Sequence, residues 1–120
     1  MSRSTDNGLT WSSPIQADNG VTISQNIFPA LAVSPFTGKI AIAYYTNRVN
    51  SSLLDVWLAV STDGGLTFTN TKVTDVNFNP NNPASPFIGA YISVAFKLND
   101  DVIVSWTDTR NMIQNIYTGN

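Results

Sequence analysis

The sequence repeats itself, and this limits its possible folds more than any other feature. Ser4-Thr5-Asp6-Asn7-Gly8-Leu9-Thr10-Trp11 returns as Ser61-Thr62-Asp63-Gly64-Gly65-Leu66-Thr67-Phe68. Six of the eight positions are identical and the last keeps an aromatic ring. Pro29-Ala30-Leu31-Ala32-Val33 aligns with Ala90-Tyr91-Ile92-Ser93-Val94. Ile40-Ala41-Ile42-Ala43-Tyr44-Tyr45-Thr46-Asn47-Arg48 aligns with Val102-Ile103-Val104-Ser105-Trp106-Thr107-Asp108-Thr109-Arg110. A chain that repeats every ~60 residues builds one structural unit twice.

Each unit reads as four short strands, A to D, separated by turn signals. In the first, A spans about residues 29–34, B 39–46, C 54–61 and D 67–74. Ile40, Ile42 and Tyr44 share one face of B; along C, Val56, Leu58 and Val60 alternate with Trp57 and Ala59. The second unit gives A at about 90–96, B at 101–107 and C at 114–118. The opposite faces carry Ala, Ser, Ile and Trp rather than charge, the signature of strands covered on both sides. Composition agrees: charged residues are 12% of the chain, Glu is absent, and the polar surface is Ser, Thr and Asn. Thr suits strands, Ser and Asn suit turns, and a helix-rich chain would use Glu freely.

Composition also removes classes of chemistry. There is no Cys and no His, hence no disulfide, no thiolate metal site and no imidazole base. The net charge is −2 with no basic stripe, which argues against nucleic acid. No apolar run approaches the ~20 residues of a membrane-spanning helix. No cofactor is implied, and no signal peptide is visible at Met1–Trp11. Asn50-Ser51-Ser52 fits the glycosylation sequon, a pattern common by chance.

The pattern Ser-x-Asp-x-Gly-x-Thr-aromatic, carried by Ser4, Asp6, Gly8 and Trp11 and again by Ser61, Asp63, Gly65 and Phe68, resembles the Asp box, or BNR repeat, of sialidases and related repeat proteins. The likeness covers nearly the whole chain. It implies an all-β fold, two four-stranded antiparallel blades of a β-propeller. In that family the Asp box joins strands C and D away from the ligand face. A turn Asp can accept its own backbone N–H groups, Gly8 and Gly65 can take positive φ, and Trp11 and Phe68 are expected to plug gaps between sheets. The competing role, a metal or catalytic carboxylate at Asp6 and Asp63, is the less favoured.

Along the chain the strand order is D-ABCD-ABC. Residues 1–16 supply an Asp box and an outer strand for a neighbouring blade, 17–74 form the first blade, and 75–120 form a second blade lacking its outer strand. Ser2-Arg3-Ser4 resembles the end of a C strand, and Asn115-Ile116-Tyr117-Thr118 the start of one. Propellers close with ~4–8 blades or more. The expected partner is therefore the chain itself, in a cyclic homo-oligomer of three to five copies with an even blade total: a trimer for six blades, a pentamer for ten. A piece cut from a longer propeller chain is the other reading.

By the same resemblance the B–C loops (46–52 and 107–114) and the D–A loops (17–28 and 75–89) form the ligand face. Pro80, Pro83 and Pro86 are expected to stiffen the last of these. Arg48 and Arg110 follow strand B at equivalent positions; with Asp108 and Tyr91 they are the candidate ligand-binding residues, because the guanidinium fork matches carboxylates. Alternatively Arg110 pairs with Asp108 and Arg48 bonds loop carbonyls. Catalysis is disfavoured: sialidases use a Tyr nucleophile assisted by a Glu, and this chain has neither Glu nor the Arg-Ile-Pro motif. Asp100 and Asp101 read as a turn cap beside Asn99. The expected function is a non-catalytic, self-assembling scaffold or binding module for glycans or proteins. The alternatives are a sialidase-like hydrolase fragment and a structural particle or surface component.

Overall fold

The computed structural model describes residues 1–20, 23–81 and 88–120. They are all-β, in two open antiparallel sheets, with no helix among the described residues. The first sheet runs β1 (Asn26–Val33), β2 (Ile40–Thr46), β3 (Asp55–Ser61) and β4 (Thr69–Lys72), each strand beside the next. The second has three strands rather than four: β5 (Ile92–Phe96), β6 (Val102–Asp108) and β7 (Asn115–Gly119). Every segment that the alternation marks as a strand from residue 29 onward contains one. The Ile-Ala-Ile-Ala-Tyr-Tyr run of β2 is the most regular, pairing without a break with β3 from Ile40↔Ser61 to Thr46↔Asp55.

The ladders correct one alignment. Leu31 lies opposite Ile42, and Val94 lies opposite Val104. Since Ile42 and Val104 are equivalent, Leu31 corresponds to Val94 rather than to Ile92. The shift is two residues, so every side chain keeps its face. A bulge between Ile27 and Ala30, with Phe28 at φ 51°, accompanies the difference at the start of β1.

Alternation gives each sheet two distinct faces. The front face of the first sheet carries Ile42, Tyr44, Trp57 and Ala59; its back face carries Ala41, Ala43, Tyr45, Val56 and Leu58. The back face packs on the front face of the second sheet, where Val104 and Trp106 are buried and Ile92, Val94, Phe96 and Tyr117 pack against the same core. Phe78 and Ile88, from the segment joining the sheets, complete this core. On the front face of the first sheet a smaller cluster of Ile42, Tyr44 and Ala59 is covered by Met1 and Ala17, with Ile40, Trp57 and Phe68 around it.

Polar contacts fix how the two sheets sit. The buried Tyr45 hydroxyl accepts the Thr107 N–H at 2.9 Å and lies 3.1 Å from the Thr107 carbonyl. Leu54 and Phe78 exchange backbone hydrogen bonds of 2.8 and 3.0 Å. Asp100, at φ 65° in the β5–β6 turn, holds the β1–β2 turn: its carboxylate accepts the hydroxyls of Ser34 and Thr37 and pairs with Lys39 at 2.9 Å.

Residues 10–16, the expected orphan outer strand, fold back on the N-terminus. Ser12 N–H donates to the Arg3 carbonyl and Ile15 N–H to that of Met1, both at 2.8 Å. The resulting hairpin lies beside the second Asp box, where Arg3 Nη1 donates to the Gly64 carbonyl at 3.0 Å.

Candidate functional site

The two octets fold into the same turn. Ser4 Oγ donates to Asp6 at 2.7 Å and accepts the Gly8 N–H at 2.8 Å. Asp6 also accepts the Thr10 backbone N–H at 2.9 Å and the Thr10 hydroxyl at 2.6 Å. The second turn repeats each contact: Ser61 to Asp63 at 2.7 Å, Gly65 N–H to Ser61 at 2.8 Å, and Thr67 N–H and hydroxyl to Asp63 at 3.0 and 2.6 Å. Leu66 N–H adds a bond to Asp63 at 3.0 Å. Gly8 and Gly65 sit at φ 87° and 85°, where a Cβ is strained. The Thr10 hydroxyl bond, then its backbone bond, hold the Asp6 carboxyl down at about 2; the Thr67 contacts hold Asp63 lower still. Both carboxylates are occupied within their own turns, and no group of metal ligands forms among the described residues.

The aromatic ends of the two octets differ. Phe68 packs beside the front-face cluster of the first sheet, as expected of a plug. Trp11 does not: it is 65% exposed, because no sheet lies against its side of the N-terminal hairpin among the described residues.

Arg48 and Arg110 occupy matching places on the two sheets. Each guanidinium lies over an aromatic ring of the third strand: Arg48 over Trp57 at 4.2 Å and Arg110 over Tyr117 at 4.3 Å. Trp57 and Tyr117 are equivalent by the β2–β3 and β6–β7 registers. The remaining partners differ completely. Arg110 donates from Nε and Nη2 to Asp108 at 3.0 and 2.7 Å, and from Nη1 to Asp75 at 2.5 Å. Its backbone N–H also binds Asp108, which is fully buried and receives the Trp106 indole N–H at 3.2 Å. These carboxylates push the Arg110 pKa up, with the Asp108 hydrogen bond the largest cause, and Arg110 in turn lowers that of Asp75.

Among the described residues the hydrogen-bond partners of Arg48 are neutral. It donates from Nη2 to the Tyr44 hydroxyl at 2.9 Å and from Nη1 to Asn19 Oδ1. Thr46 stands where the second sheet has Asp108. Burial pushes the Tyr44 phenol pKa up, Arg48 opposing it. Arg48 Nε and the Trp57 indole nitrogen are buried and have no protein partner. Beside them a cleft of about 150 Å³ is lined by Ala17, Asp18, Asn26, Pro29, Ile42 and Tyr44.

The four ligand candidates are thus not brought to one site. Arg48 lies on the front face of the first sheet. Arg110 and Asp108 lock together on the front face of the second. Tyr91 is 83% exposed on the back of that sheet, at a crevice of about 220 Å³ with Ile92, Ser93, Ser105, Trp106 and Ile116. Of the loops expected to face a ligand, Pro83, Pro86 and residues 21–22 lie outside the described residues. Asp101 accepts the Asn99 side-chain amide at 2.7 Å, a turn cap, while Asp100 serves the inter-sheet clamp.

Sequence reasoning missed Asp75, Asp100 and Tyr45. A signal for Asp75 existed: it follows Asp18 by the spacing that separates the two octets. Compared with protein families, curated proteins and solved structures, the chain matches none of the three.

Proposed function

We propose that this chain is a non-catalytic, Asp-box type propeller unit, two blades that copies of the chain extend head to tail into a ring serving as a scaffold or binding module. The observation that carries this reading is the way the two sheets meet. Back face lies on front face, and β1, β2 and β3 of the first sheet correspond in order to β5, β6 and β7 of the second. A contact of that kind is heterologous, and repeating it with a constant rotation generates a ring or a helix rather than a closed pair. Sheets stacked this way are the architecture of propeller blades.

The non-catalytic part rests on the carboxylates. Asp6 and Asp63 are spent in turns, Asp100 in the clamp, Asp75 and Asp108 on Arg110. Asp55 is buried and paired with Lys72 at 2.8 Å. None of these stands free beside a tyrosine as a nucleophile and its base would, and Asp18, which lines the cleft with Tyr44, accepts the Gly20 N–H and the Asn26 amide. A ring would carry Arg48 on its exposed B–C loop once per copy, a repeated presentation that suits multivalent binding of glycans or proteins.

Native mass spectrometry tests the reading. A single species at one whole multiple of the 13.0 kDa chain, from 39 kDa for three copies to 65 kDa for five, is the expected result. A folded species at 13.0 kDa at micromolar concentration overturns it.

A further inference from the structure

The contact inside the chain shows which surfaces a second copy would use. In the core between the sheets, Val94 and Phe96 of β5 pack together with Val104 and Trp106 of β6, and β5 is the strand that lies against β1 and β2. They meet the back face of β1 and β2, where Ala30, Ala32, Ala41 and Ala43 leave room for close approach. By the ladder registers, Leu31 and Val33 are the equivalents of Val94 and Phe96 on the first sheet. They are not buried: Leu31 is 52% and Val33 54% exposed.

The receiving surface also has an uncovered equivalent. On the back of the second sheet, Ser93 and Ala95 correspond to Ala30 and Ala32, and Ser105 corresponds to Ala43. Ser93 and Ala95 are exposed, and Ile116 beside them is 71% exposed. The crevice under Tyr91 opens on this face. Small residues stand at these positions although Ser93 and Ala95 are exposed and Ser105 is only half-buried among the described residues. A solvated sheet face would ordinarily carry charged or longer polar side chains; this one has none on β5, β6 or β7 between Tyr91 and Thr118.

The N-terminal hairpin fits the same scheme. It covers the front face of the first sheet from β2 outward, through Met1 and Ala17 against the cluster of Ile42, Tyr44 and Ala59 that Trp57 and Phe68 adjoin. The β1 side, with Leu31 and Val33, stays open. The covered half is where the outer strands of a preceding sheet would lie, and the open half is where its inner strands would lie.

We infer that a second copy of this chain docks its Leu31–Val33 ridge onto the small-residue back face of β5 and β6, at Ser93, Ala95 and Ser105, reproducing between chains the contact that Val94 and Phe96 make within one. The inference rests on the ring reading above and names its interface. The two halves of the contact lie on opposite ends of the chain, so each can be destroyed alone.

The test uses two variants of the whole chain. Leu31→Asp with Val33→Asp removes the ridge, and Ser93→Arg with Ala95→Arg blocks the receiving face. All four positions are exposed, and circular dichroism is the check that both variants remain folded. Each variant alone is expected at 13.0 kDa, and an equimolar mixture at 26.0 kDa, two chains joined through the one intact ridge and the one intact face. If the wild type assembles and either folded variant assembles equally well, the faces named here are wrong and the ring reading stands. If the wild type itself stays at 13.0 kDa, the ring reading and the inference fall together.

Discussion

The two sheets were built from one repeated sequence and have come to differ in a consistent way. The first is covered behind by the second sheet and over part of its front by the N-terminal hairpin, and its arginine, Arg48, touches neutral groups among the described residues. The second is covered on one face, and its arginine, Arg110, is gripped by two carboxylates. One substitution accounts for most of the difference: Asp108 against Thr46 at the end of the second strand. A buried carboxylate needs a cation, and the guanidinium two residues later supplies it. Where Thr stands instead, the same guanidinium keeps its place over an aromatic ring but forms no ion pair among the described residues. Stacking is therefore the shared feature of the repeat, and the ion pair is an addition in the second copy.

The strongest way to break this comparison is to remove the group that couples the sheets. Tyr45 is fully buried, meets Phe28 and Phe78 edge to face, and binds the Thr107 backbone. Tyr45→Ala empties that space and strands the Thr107 N–H. Urea unfolding should show a loss of about 4 kcal/mol. Tyr45→Phe keeps the ring and loses only the hydroxyl, for a loss of about 1–2 kcal/mol. If the two variants cost the same, the hydroxyl bond and not the packing joins the sheets.

The arginines give the next largest effect. Arg110→Met leaves Asp108 buried with only the Trp106 indole and a backbone N–H, and should cost about 3 kcal/mol. Arg48→Met removes a cation over Trp57 and two neutral hydrogen bonds near the surface, and should cost about 1 kcal/mol. Equal losses, read from denaturant midpoints at constant slope, would mean that stacking rather than the carboxylates fixes Arg110. A combined variant, Asp108→Thr with Asp75→Asn, should bring the second arginine into the state of the first.

How much of this was legible in the sequence depended on the range of the interaction. The octet turns were readable because their contacts lie within a few residues: Ser4, Asp6, Gly8 and Thr10 bond to one another, and Leu9 N–H to the Asp6 carbonyl. The Asp108–Arg110 pair was readable for the same reason. The position of β1 relative to β2 was not, because a run of Ala and branched residues fits two registers of equal parity, and the cross-strand ladder alone decides between them. Asp75 and Asp100 act across the chain, from loops whose approach depends on how the sheets stack, so local pattern carried no trace of their partners. Trp11 is exposed in the single chain because an aromatic residue states what it can bury, not whether a neighbouring sheet is there to receive it.

The two Asp boxes allow the finest comparison, since their chemistry is identical and their settings are not. Asp63 closes the turn between β3 and β4 of the four-stranded sheet; Asp6 closes only the N-terminal hairpin. Both carboxyls titrate below their ordinary value near 3.8 in the folded chain, Asp6 at about 2 and Asp63 lower. A lowered folded pKa means that the stabilisation is complete above the unfolded value and is lost as pH falls through the folded one. The melting temperature should therefore hold steady above about pH 5 and decline from about pH 4 toward pH 2. In Asp63→Ala that decline should be shallower and begin from a lower melting temperature. In Asp6→Ala the melting curve should hardly move, while hydrogen exchange at Ser12 and Ile15, the amides of the hairpin ladder, accelerates. If Asp6→Ala instead lowers the melting temperature as far as Asp63→Ala does, the hairpin unfolds with the sheet it covers, and the front face of the first sheet is an integral part of the core rather than a surface held by a separable cover.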